Sequence, residues 1–257
     1  MPADPRPNLS ATIAPLAAAS EPLGVREALR WLSALGYRAA QLSATDPATR
    51  PRDLDQSARR DLAATLARHE LACSGLDLFI PPAHFTAPEH AARAFDAAVL
   101  AIGLAADLGR VPVVLPLEAD APSDLVSALA TEASRHGVRL LVPLSGGADA
   151  DAPAFAAAPP FGRLLDCAAA LGAGAAPQTL AAGLGSQLGG IRLVDLWRSG
   201  MRGPICEPRE SRLDALALRI ALELGPSGVT PVVDARQWTD VREGIKSSIA
   251  RWRGLAL

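Results

Sequence analysis

The sequence predicts a single α/β domain, residues 1–257, folded as a (β/α)8 TIM barrel. Three observations predict it. Short apolar, β-branched runs alternate with segments of helical periodicity along the whole chain, which implies parallel strands joined by crossovers. Eight such pairs can be counted with no compositional break between them, and a length of 257 residues suits one barrel. Three of the later runs, Gly162–Asp166, Gly189–Asp195 and Thr230–Asp234, end in aspartate, and parallel-barrel enzymes gather their chemistry at strand C-termini. A doubly wound open sheet is the runner-up, but no GxGxxG opens a first helix.

Taken in order, Ser10–Leu16 reads as the first strand, and Ser20 stands as an N-cap ahead of Glu21 and Pro22. Val25, Leu29, Leu32 and Leu35 return at helical spacing, and Gly36 closes that helix as a left-handed cap. Tyr37–Leu42 is the second strand, Pro47–Ser57 a polar loop, Ala58–His69 a helix and Leu71–Ile80 the third strand. Thr86-Ala87-Pro88-Glu89 has the form of a capping box opening a long helix to Gly109. Val111–Leu117 is the fourth strand, with Glu118 at its exit; Ser123 caps a helix closing at His136-Gly137, and Val138–Leu144 is the fifth. Ser145–Pro160 is rich in Gly, Ala, Asp and Pro, so the helix of unit five is eroded. Phe161–Asp166, Ile191–Leu196 and Thr230–Ala235 complete the strands. Helices follow at Pro177–Leu188, at Leu213–Leu224 and from Thr239 to Leu255.

Composition narrows the partners. A net charge of −2 gives no general reason to expect nucleic acid, whose phosphates call for a basic patch. Lys246 is the sole lysine and falls in a surface helix, so a Schiff-base mechanism is disfavoured. Cys73, Cys167 and Cys206 are odd in number and widely spaced, which fits neither a disulfide framework nor a CxxC zinc site and makes a reducing cytoplasm the simplest compartment. Ala97–Leu108 is apolar but too short to span a bilayer, so no membrane segment is expected.

The chain resembles the xylose isomerase-like barrel family, which includes sugar phosphate isomerases, ketose 3-epimerases, inosose dehydratases and type IV AP endonucleases. The resemblance rests on Leu29–Leu42, on Ala98–Leu115 with its LAADLGRVPVVL, on His136-Gly137-Val138-Arg139-Leu140, and on the runs ending Asp166, Asp195 and Asp234, in that order. It implies one divalent metal held by Glu, Asp, His and Glu from the ends of strands five to eight. Carried over singly, Asp166 keeps the aspartate. The strand-five Glu falls at Val142 or Pro143, the strand-seven His falls on Arg192, and strand eight offers Asp234 in place of Glu. Arginine is permanently protonated and cannot coordinate a cation, so the ligand set is incomplete, with Asp166 and Asp234 as remnants.

No cofactor is therefore expected. If Arg192 points inward it stands where the metal's charge would be and can pair with Asp166 and Asp234; an outward Arg192 facing the helices is the other register. The function this implies is a sugar phosphate isomerase/epimerase-like protein acting on or binding a sugar or polyol, with Asp234 or Glu118 as base and Arg192 as oxyanion partner. His84, Asp166, Asp195 and Trp197 are the candidate substrate contacts. The alternative is a non-catalytic barrel, a pseudoenzyme, kept for binding. Any of the three aspartates can equally cap a turn. An AP-endonuclease site is disfavoured, because the four histidines, apart from His84, miss the strand ends such a zinc cluster needs.

Overall fold

The computed structural model describes residues 8–144, 153–207, 209–225 and 229–255. Its parallel strands are β1 (Ser10–Thr12), β2 (Ala39–Ser43), β3 (Ala72–Asp77), β4 (Val113–Val114), β5 (Leu140–Pro143), β6 (Phe161–Asp166), β7 (Leu188–Leu193) and β10 (Pro231–Val233). They close in the order β1-β10-β7-β6-β5-β4-β3-β2. The expected barrel is present. Around it run α1 (Ala14–Ala17), α2 (Val25–Leu35), α3 (Gln56–Arg68), α4 (Pro88–Asp107), α5 (Ser123–His136), α6 (Cys167–Gly172), α7 (Pro177–Leu184), α8 (Ala215–Leu224) and α9 (Val241–Arg253). No helix among the described residues is long and apolar enough to cross a membrane.

Strand periodicity sorts the barrel into two compartments. Outward residues such as Ala11, Leu42, Leu76, Leu140, Leu165 and Val233 join the large core between sheet and helices. Inside the barrel, Val114, Leu141 and Leu164 form a separate small apolar cluster. The facing wall is polar, with Ser10, Thr12, Gln41 and Ser43 all buried. Alternation then places Asp77, Asp166, Arg192 and Asp234 inward at the strand exits, and Asp166 and Arg192 lie side by side in register.

Helix termini show where the sequence reading needs correction. Gly36 and Gly137 take the left-handed conformation expected of them, at φ 86° and 64°. Ser20 does not cap α2; the helix starts later, after Gly24, whose N–H donates to the Glu27 carboxylate. Thr86 makes no capping box, because its hydroxyl donates back to the Ala83 carbonyl at 3.2 Å and Ala87 is the N-cap. Ser123 is the first residue of α5, after Pro122, and Asp240 rather than Thr239 caps α9 by accepting the Glu243 N–H. At α9 the Asp240 carboxylate takes the N-cap in place of the Thr239 hydroxyl because it is the stronger acceptor.

The eroded unit five shows only the 3-10 turn Ala154–Ala157 among its described residues; 145–152 lie outside them. Strand seven ends at Leu193, so Asp195 does not terminate it. Asp195–Leu196 (β8) instead pairs antiparallel with Arg202–Gly203 (β9) in a small hairpin beyond the barrel. The barrel is closed on its last helix by Tyr37, which is fully buried and donates its hydroxyl to the Ile245 carbonyl at 2.7 Å. Burial pushes that phenol's pKa up by more than the nearby Arg253 charge lowers it, so it stays a hydrogen-bond donor.

Candidate functional site

Four charges converge at the C-terminal mouth. Arg192, inward on β7, donates from Nη2 to Asp77 Oδ2 at 3.1 Å across the barrel. Its Nε lies 3.4 Å from Asp234 Oδ2, an ion-pair contact without hydrogen-bond alignment. Arg236, two residues beyond Asp234, grips that carboxylate with Nε, at 2.8 Å, and with Nη2, while its Nη1 reaches Asp77. Two carboxylates and two guanidiniums thus form a closed, neutral lattice. Asp77 and Asp234 are 3% and 7% exposed at the side chain, and Arg192 and Arg236 14% and 18%.

Burial alone would raise the Asp234 carboxyl, but the Arg236 hydrogen bonds and charge, with Arg192 behind them, hold it below the ordinary carboxylate range. Arg236 feels the reciprocal effect: burial disfavours its charge, and Asp234 and Asp77 more than restore it. Phe79, 66% exposed at the exit of β3, carries the Arg236 guanidinium over its ring at 4.9 Å.

Of the two registers the sequence left open for Arg192, the structure has the inward one, and the pairing with Asp234 is present. Its expected pairing with Asp166 is not. Asp166 instead accepts the Ala169 N–H as N-cap of α6 and pairs with Arg202 Nη2 at 2.6 Å. The β8–β9 hairpin brings Arg202 within reach of that carboxylate. Asp195 is fully buried and accepts the backbone N–H groups of Arg212 and Leu213, which pins the 196–213 segment. Trp197 donates its ring N–H to the Pro204 carbonyl and packs so tightly over Gly203 that a Cβ there would lie 2.5 Å from its ring. Both residues hold the hairpin rather than face the lattice.

Glu118 is exposed and lines a separate cavity of about 300 Å³ with Pro82, Pro116 and Pro143. His84 stacks on His90 with ring centroids 4.4 Å apart. Neither joins the lattice. Cys167, beside Asp166, is buried, and burial with the nearby Asp166 and Asp195 charges pushes its thiol up, so it stays protonated. The sequence reading missed Asp77, Phe79, Arg202 and Arg236. Asp77 had a signal, a charge between Leu76 and Leu78 in an apolar run; Arg202 lies in irregular sequence and had none.

The residues present do not suit a divalent cation. Among the described residues no three of His, Cys, Asp and Glu group as metal ligands. Asp77 and Asp234 already face two guanidiniums each, and a cation between them would meet that positive charge at contact distance.

No family model and no curated protein matches the sequence. Solved structures do match the fold. A xylose isomerase domain protein from Planctomyces limnophilus superposes with a TM-score of 0.69 at 16% identity, covering 96% of this chain and 95% of that one. The chain has the xylose isomerase-like barrel fold. Within it, 3-keto-D-glucoside 4-epimerase from E. coli gives a TM-score of 0.73 at 14% identity, with 96% and 98% of the two chains covered. D-Psicose 3-epimerase gives 0.68 at 10% identity, covering 96% and 98%.

Proposed function

We propose that this xylose isomerase-like barrel binds a sugar or polyol at its C-terminal mouth without a metal, and that metal-dependent isomerisation has been lost. The observation that carries the reading is Arg192, held between Asp77 and Asp234 at the position where the resemblance implies a ligand histidine. A fixed guanidinium with donors to spare hydrogen-bonds vicinal hydroxyls, and the exposed Phe79 ring offers a face for the C–H side of a sugar. The epimerases among its structural neighbours act on sugars by name, which supports that substrate class.

A metal-free isomerase is the second reading, favoured by those same neighbours. It requires a base for a proton next to a carbonyl. Asp234 is poorly placed for that role, because a carboxylate held low by Arg236 has little drive to take a proton. Glu118 would have to reach the substrate from the neighbouring cavity. The test is calorimetric binding of a panel of ketohexoses and polyols with and without EDTA, run beside epimerisation assays followed by NMR. Binding that is indifferent to EDTA, with no turnover, supports the proposal. Turnover stimulated by added Mn²⁺ or Co²⁺ overturns it, and EDTA-insensitive turnover lost in Glu118→Gln moves the case to the second reading.

A further inference from the structure

We infer a second ligand site at the opposite, N-terminal end of the barrel, built for a small molecule that carries both an anionic group and a hydroxyl. A cavity of about 520 Å³ opens there, below the apolar cluster of Val114, Leu141 and Leu164. Barrel interiors are normally filled by layers of side chains, and this volume lies in the range of ordinary ligand pockets. Its floor and rim carry short residues, among them Ser74, Gly75, Gly189 and Gly190.

Its charge is one-sided. Arg110 and Arg139 both line the cavity, and among the described residues no carboxylate does. Arg139 is committed to a place but not neutralised: its Nη2 donates to the carbonyls of Ser186 at 2.8 Å and Gln187 at 2.9 Å. Gly162 is what lets it lie there, since a Cβ on that residue would come within 2.4 Å of Arg139 Nε. Burial disfavours the Arg139 charge with no carboxylate to compensate, yet a guanidinium does not lose its proton in a protein. Burial also pushes the Cys73 thiol up to about 12, so the cysteine in the wall adds no negative charge.

An independent feature asks for a donor. Gln41 lines the same cavity at 3% exposure, and its Oε1 is buried without a hydrogen-bond partner among the described residues. A buried acceptor left empty is unfavourable, and a small turn of the Gln41 amide toward the cavity would let an O–H from a ligand satisfy it. Two cations with no carboxylate beside them and an acceptor with no donor, among the described residues, define one complement, an oxyanion bearing a hydroxyl. A phosphate or a carboxylate could supply the anion. A neutral polyol, the ligand class proposed for the other mouth, leaves the arginines uncompensated, so the two sites are chemically distinct.

Calorimetry on the full chain with glycerol phosphate, glycerate, inorganic phosphate and glycerol tests this. The expected result is saturable binding of glycerol phosphate or glycerate; whichever binds tighter identifies the anion source. Affinity should fall at least about tenfold in Arg139→Met and in Arg110→Gln, and several-fold in Gln41→Leu, while Lys246→Gln, at an exposed position outside the cavity, leaves it unchanged. Arg110 is exposed, so Arg110→Gln folds even if the interior variants do not. Absence of binding by every anion, equal binding of glycerol, or affinity unaffected in Arg110→Gln and Arg139→Met overturns the inference.

Discussion

Each end of the barrel holds a pair of arginines. At the C-terminal mouth Arg192 and Arg236 are locked against Asp77 and Asp234, and the guanidiniums act as part of the fold. At the N-terminal end Arg110 and Arg139 line a cavity that no carboxylate among the described residues enters. The difference teaches that positive charge inside this barrel has two uses: cross-linking strands where acids are supplied, and awaiting an anion where they are not. It also places the rigid chemistry at the end where this architecture usually works and the unsatisfied chemistry at the other.

The contrast breaks most visibly if one charge is removed from the lattice. Asp77→Ala leaves Arg192 and Arg236 to share Asp234 as their one remaining carboxylate partner in the lattice and should cost about 3 kcal/mol in equilibrium denaturation. The paired replacement Asp77→Leu with Arg192→Met should lose far less than either single change, because both charges leave together. A loss equal to the sum of the single changes would mean the residues do not act as a lattice.

Acid separates the two ends next. Asp234 has a folded-state pKa below its unfolded value, so the stability it contributes is present above the unfolded value, near 4, and is lost as pH falls through the folded one. Unfolding followed between pH 7 and pH 2 should show this acid loss, reduced in Asp234→Asn. The N-terminal cations, having no carboxylate, should add nothing to it. A smaller effect is expected of Arg202→Ala, which removes the partner of Asp166 at the edge of the mouth: about 1–2 kcal/mol, read by thermal denaturation. The smallest is Arg110→Gln, within about 0.5 kcal/mol of the parent, since that side chain is exposed.

Most of the fold was legible in the chain because alternation of period two with period 3.6 survives in nearly every unit. Phe161–Asp166 matched its strand residue for residue, and Gly36 and Gly137 stopped their helices as expected. The sequence left both registers open for Arg192; the pairing of β7 with β6 turns it inward beside Asp166, and its partner across the barrel was not legible. Asp77 stands 115 residues away, and only closure of the barrel brings β3 opposite β7. Asp195 misled for a local reason: the chain leaves the barrel at Leu193 and forms the β8–β9 hairpin, so a carboxylate that looks like a strand-end ligand holds backbone amides instead. The N-terminal cavity left no mark in periodicity, because it depends on where Arg139 and Gly162 meet across β5 and β6.

In the proposed function, Arg192 stands in the place of a metal at the C-terminal mouth. Calorimetric titration of Mn²⁺ into chelator-treated full-length protein tests this most directly. No saturable binding at the mouth is predicted, and Arg192→Ala should not create a complete site, since only Asp77 and Asp234 would remain as donors. Stoichiometric Mn²⁺ binding at micromolar concentration, abolished in Asp234→Asn, would contradict it.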